Sequence, residues 1–87
     1  MFKVKMKNKV YKNISKMPVK IQEKMFLLVN DLKDKGPAQP EWPNYSKLGP
    51  ELYHCHLAHK WVACWKNEKD SIIIEVYYAG SRENSPY

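Results

Sequence analysis

The stretch "YHCHL", residues 53–57, places two of the chain's three histidines two residues apart. On a strand, alternate side chains share a face, so His54 and His56 project together while Tyr53, Cys55 and Leu57 project to the other side. An imidazole with a free pKa of about 6.5 both takes up and releases protons at neutral pH, and two on one surface can divide the acid and base roles of a proton-transfer reaction. The same pair can chelate a metal if further ligands join it. With "AHK" (residues 58–60) as a tight turn, Val62 and Cys64 come opposite His56 and His54, and Cys64 becomes a conceivable third ligand. A third alternative is that both histidines are polar residues on the solvated side of an amphipathic strand. Taken alone, the residues leave all three open. That register also separates Cys55 and Cys64 onto opposite faces, and two cysteines are few for a disulfide framework, so reduced thiols are expected.

The elements that must position these residues follow from periodicity. "FKVKMKNK" alternates strictly, with Phe2, Val4 and Met6 toward a core and Lys3, Lys5 and Lys7 away from it, as an amphipathic strand does. Val10, Ile14 and Met17 then recur at helical spacing, and Pro18 suits the start of a second helix, where its missing donor costs nothing. The stripe Ile21, Met25, Leu28 and Leu32 defines that helix, and Gly36 and Pro37 close it. Residues 37–50, "PAQPEWPNYSKLGP", carry four prolines and no periodicity, which predicts a long connecting loop. Three strand-like runs follow: Leu52 to Leu57, Trp61 to Trp65 and Ser71 to Ala79. The order is strand, helical hairpin, antiparallel meander, and the expected fold is α+β: one sheet with both helices on one face. Tyr53, Cys55 and Leu57 should meet the helices, leaving the histidines on the open face. Trp42, Trp61 and Trp65 are expected in core and loop packing rather than as platforms for a base.

At 87 residues, 44% hydrophobic and 28% charged, the composition is that of a folded domain rather than a disordered tail, and the expectation is a single domain over residues 1–87. No apolar run approaches the roughly 20 residues needed to cross a bilayer, and no signal-peptide core is recognisable, so a cytoplasmic location is expected. The net charge of +6 is one-sided: residues 1–36 hold ten lysines against three acids, and residues 37–87 hold five basic against six acidic residues. Such a basic region either favours a polyanionic partner or is simply a solvated lysine surface.

"YHCHLAHKWVACW" followed by "IIIEVYYAGSRENSPY", with the "WPNY" loop at residues 42–45, resembles the RelE/ParE superfamily of toxins from type II toxin-antitoxin systems. Within it the chain is most similar to small RelE-like translational repressors. The resemblance spans essentially the whole chain. It implies a ribosome-dependent mRNA endoribonuclease that uses no metal or other cofactor and is held inactive by a cognate antitoxin. It also assigns site residues: His54 and His56 stand where the best-known RelE proteins carry lysines, Arg82 matches an arginine near the end of the last strand, and Tyr87 matches a tail tyrosine. One departure is plain. The second arginine of the middle meander strand is missing, since that region reads Trp61, Val62, Ala63, and His59 or Lys60 are candidates to compensate.

On this reading one histidine is the base toward a 2'-hydroxyl, the other is the acid or a phosphate donor, Arg82 holds the phosphate, and Tyr87 orients or stacks on the scissile nucleotide. Lys3, Lys5, Lys7, Lys9, Lys12, Lys16 and Lys20, together with Lys60, would contact mRNA and ribosomal RNA without regard to sequence. The competing expectation is a ParE-like toxin directed at gyrase, or an inactive relative that still binds an antitoxin. Neither needs an acid-base pair.

Overall fold

A computed structural model describes residues 1–87. Its elements are β1 (Lys3–Met6), α1 (Asn8–Ser15), α2 (Val19–Lys35), β2 (Ser46–Gly49), β3 (Leu52–Ala58), β4 (Trp61–Lys66) and β5 (Ile73–Ser81), followed by a single 3-10 turn, Arg82–Asn84. The strands form one mixed sheet in the order β1-β5-β4-β3-β2, with β1 parallel to β5 and every other pairing antiparallel.

The two periodicities decide the layering. Val10, Ile14, Met25, Leu28 and Leu32, with Met17 from the connection, pack on Cys55, Leu57, Ala63, Trp65, Ile74, Val76 and Ala79. Both helices therefore cover one face of the sheet, and each fully buried aliphatic side chain contributes about 1.5–3 kcal/mol. Val4 and Met6 lean on this core while Lys3 and Lys5 are exposed. Lys7 has already left the strand and occupies the N-cap position of α1. Gln22 ties the hairpin together by donating to the Met17 carbonyl at 2.8 Å. The second helix ends at Gly36, whose φ of 92° is closed to most side chains and whose Cα lies so near Phe2 that a Cβ would stand 2.8 Å from its ring.

Residues 37–50 are not wholly loop, as the sequence predicted, because Ser46–Gly49 adds to β3 as an edge strand. Four residues carry no readable period, and the neighbouring strand supplies what periodicity could not. The stretch before it is held by side chains. Trp42 Nε1 donates to Asp31 Oδ2 at 2.9 Å, Gln39 Nε2 to the Gly36 carbonyl at 2.8 Å, and Trp65 Nε1 to the Pro37 carbonyl at 2.9 Å. Tyr45, Tyr53 and Trp65 stack beside one another with centroids 6.1 to 6.4 Å apart. The last strand begins two residues later than expected and runs to Ser81, which places Arg82 just beyond it.

Candidate active site

The turn at His59 and Lys60 is tight, and the register between β3 and β4 sets His54 against Cys64 and His56 against Val62. The two imidazoles share the face away from the helices, with ring centroids 5.8 Å apart and planes at 63°. They do not share an environment. His54, expected to be open to ligands, is buried at 7% exposure. Ser46 on the unexpected edge strand lies against one flank, with Oγ 3.0 Å from Nδ1, and the Tyr87 ring covers it with centroids 4.3 Å apart. His56 is only partly buried.

Beneath them Cys64 is fully buried, and burial pushes its thiol up to about 12, although a hydrogen bond with Tyr77 opposes the shift. Cys55, on the core side, is likewise raised to about 12 by burial and by Cys64. Both cysteines are free and buried. No group of three or more His, Cys, Asp or Glu side chains is placed to hold a metal ion, so the triad of His54, His56 and Cys64 weighed from the sequence is not assembled as a site.

The electrostatics favour neutral imidazoles. His54 is lowered from the ordinary imidazole value by burial, and a hydrogen bond with the Ser46 backbone partly restores it. His56 is lowered by burial and by the neighbouring charges of His54, Arg82 and His59. The Tyr87 phenol is raised, chiefly by burial and the adjacent Cys64, so it stays protonated across the neutral range.

Arg82 is exposed, and its backbone N–H donates to the Lys60 carbonyl at 2.8 Å, which pins the start of the tail to the β3–β4 turn. Its side chain lines an open groove of about 410 Å³ together with His56, His59, Asn44 and Lys24. The groove's outer wall is the "WPNY" loop, fixed where the His56 N–H donates to the Pro43 carbonyl at 2.8 Å, with Asn44 at φ 56°. The four residues singled out for catalysis thus lie together: His54 with His56 and Tyr87, and His56 with Arg82.

The lysines do not form one row. Lys3 and Lys5 lie on the open face of β1, three strands and so about 14 Å from β3. There Lys5 shares a depression with Lys66, Glu68 and Glu75, the last two lysine-neutralising carboxylates, and Lys66 bonds Glu75 at 3.7 Å. Lys9, Lys12, Lys16 and Lys20 are exposed on the helical layer. Of the lysines expected to contact RNA, Lys60 alone borders the site, in a depression shared with His59 and Arg82. Sequence reasoning passed over Lys24, Asn44, Ser46 and Tyr77. Lys24 reads as a polar residue of an amphipathic helix and Ser46 as loop, and no spacing signal separates either from its neighbours.

A mixed five-stranded sheet with a helical hairpin on one face is also the fold of solved RelE-like toxins. The structure of the archaeal RelE–RelB complex from Pyrococcus horikoshii OT3 superposes with a TM-score of 0.76 at 13% identity, over 97% of this chain and 98% of that one. The isolated Escherichia coli RelE toxin gives 0.75 at 13% identity, over 99% of this chain and 89% of that one. In the YoeB–YefM complex from Staphylococcus aureus the match is 0.70 at 10% identity, over 92% and 95%. No family model and no curated protein matches the sequence. At such identities the likeness is one of fold. No helix is long and apolar enough to cross a membrane.

Proposed function

We propose that the chain is the toxin of a toxin-antitoxin system and acts as a ribosome-dependent mRNA endoribonuclease. One observation carries this reading: on a RelE fold, His54, His56, Arg82 and Tyr87 come together although 33 residues of sequence separate the first from the last. In the proposed reaction His56 is the base. It is the accessible imidazole, and burial and its cationic neighbours keep it neutral, which is the form that accepts a proton. It takes the proton of a ribose 2'-hydroxyl as that oxygen attacks the adjacent phosphorus, forming a 2',3'-cyclic phosphate and breaking the bond to the 5'-oxygen.

Arg82 neutralises the charge that gathers on the phosphorane oxygens, which a planar guanidinium meets with two parallel donors. His54, buried and held by Ser46, is the positioning residue for Tyr87. The phenol of Tyr87 donates the proton to the departing 5'-oxygen; even with its raised pKa it is far more acidic than the alcohol it forms. Each role is filled by a side chain, so the scheme calls for no metal or other cofactor. The exposed lysines, from Lys3 to Lys20 and at Lys60, supply sequence-independent contacts to ribosomal RNA. A cognate antitoxin is the expected protein partner, by analogy with the RelE–RelB and YoeB–YefM complexes. Primer extension on an mRNA with translating ribosomes, against naked RNA and in the presence of a chelator, tests the reading. Cleavage only on ribosomes that is lost with His54→Ala, His56→Ala supports it, and unchanged cleavage by that double variant overturns it.

A further inference from the structure

The surface depressions of the domain differ in charge. The one lined by Lys5 includes Glu68 and Glu75, and the one that Lys60 shares with Arg82 includes Glu83, whereas the one that Lys60 shares with Lys20 is carboxylate-free but mostly apolar. The groove between α2 and the β3–β4 turn includes none: Lys24, His56, His59 and Arg82 line it with the amide of Asn44. Lys24 is exposed and has no carboxylate partner, since the chain's one ion pair is Lys66 with Glu75. Five nitrogen-bearing side chains, from α2, β3, the β3–β4 turn, the 3-10 turn and a loop tip, therefore converge with their donors uncompensated, an arrangement that is stable in water and strengthened by an anion. The loop tip is built rather than slack, because the Pro43 carbonyl accepts from His56 and Trp42 is held by Asp31.

We propose that this groove is a second phosphate subsite, in which Lys24 and His59 bind the backbone phosphate next to the scissile one, with Asn44 as a neutral donor. The inference rests on the nuclease reading and deepens it: the RNA strand leaves the cleavage position toward α2 and the β3–β4 turn, and not across the open sheet toward Lys3 and Lys5. It also answers the missing arginine of the middle meander strand. The cation is supplied from a helix on the other layer, where no strand motif would reveal it.

The test is binding without chemistry. A 2'-O-methyl RNA trinucleotide, which lacks the attacking hydroxyl, is titrated into the purified protein and followed by NMR at several salt concentrations. Lys24→Ala and His59→Ala are compared with Lys35→Ala, which removes the same charge eleven residues, or about 16 Å, further along α2. We expect binding by Lys24→Ala to weaken about 5- to 10-fold and the slope of log affinity against log salt to fall by about 0.7, the loss of one phosphate contact on a single strand. Lys35→Ala should bind as wild type does. Equal affinities for Lys24→Ala and Lys35→Ala, or shifts confined to β1 and β5, overturn the subsite, as does absence of binding by the wild type at millimolar trinucleotide. Because the probe cannot be cut, retained binding in a protein that cleaves no mRNA would sink the catalytic reading and leave the subsite standing. Lys24→Glu, with circular dichroism to verify the fold, should abolish binding altogether.

Discussion

Arg82→Gln separates the charge at this site from its scaffold. The side chain is exposed and makes no ion pair, while the backbone N–H that anchors the tail to Lys60 survives the substitution. The cost in stability is then that of an ordinary surface change, within about 0.5 kcal/mol, or about 2–4 °C in Tm for a domain of this size. Loss of a charged hydrogen-bonding group from the transition state, at about 1.5–3 kcal/mol, lowers the rate about 10- to 160-fold. A second effect has its own sign. Arg82 is one of the cations that hold His56 below the ordinary imidazole value, so removing it lets that pKa rise, and the acidic limb of the rate profile moves to higher pH. Single-turnover cleavage of mRNA on programmed ribosomes, measured across pH 5 to 8, reads both quantities. A rate within twofold of wild type, or a limb that stays in place or moves to lower pH, refutes the placement of Arg82 beside His56 as a working pair.

Other expectations follow from the same geometry. Tyr87→Ala uncovers His54, whose shift is owed first to burial, so its pKa should return toward the ordinary value in an NMR titration of the imidazole carbons; no movement would mean that the tail ring does not shield it. Because His54 and His56 are both lowered in the folded state, the unfolded chain binds more protons below about pH 6.5. Their contribution to stability is thus complete above that pH and is lost as pH falls through the folded values, and urea midpoints at pH 7.5 and 5.5 should differ less in a His54→Gln, His56→Gln variant. Trp65→Ala removes the fully buried member of the aromatic cluster and should cost about 3–5 kcal/mol by urea denaturation. Gly36→Ala forces a side chain into backbone space reserved for glycine and against Phe2, for about 1–3 kcal/mol.

The chain's own pattern determined a good deal. Period-two alternation at Phe2 to Met6 and helical spacing from Val10 to Leu32 name the elements and their buried sides, because a strand or helix that misplaces its apolar face loses the burial that stabilises it. The same logic put His54 and His56 on the face opposite Cys55 and Leu57, and a tight turn at His59 and Lys60 set Cys64 against His54. These are local facts, carried by neighbours in sequence. What tertiary structure alone decided is how accessible each histidine is and which cations surround it. Ser46 reaches His54 only because an edge too short to show a period pairs with β3, and Tyr87 covers it only because the tail doubles back from the end of β5. Lys24 enters the groove from α2, in the opposite layer. Burial and charge depend on everything within a few ångströms, wherever it comes from in the chain, so two histidines that read alike in "YHCHL" became one covered and one open.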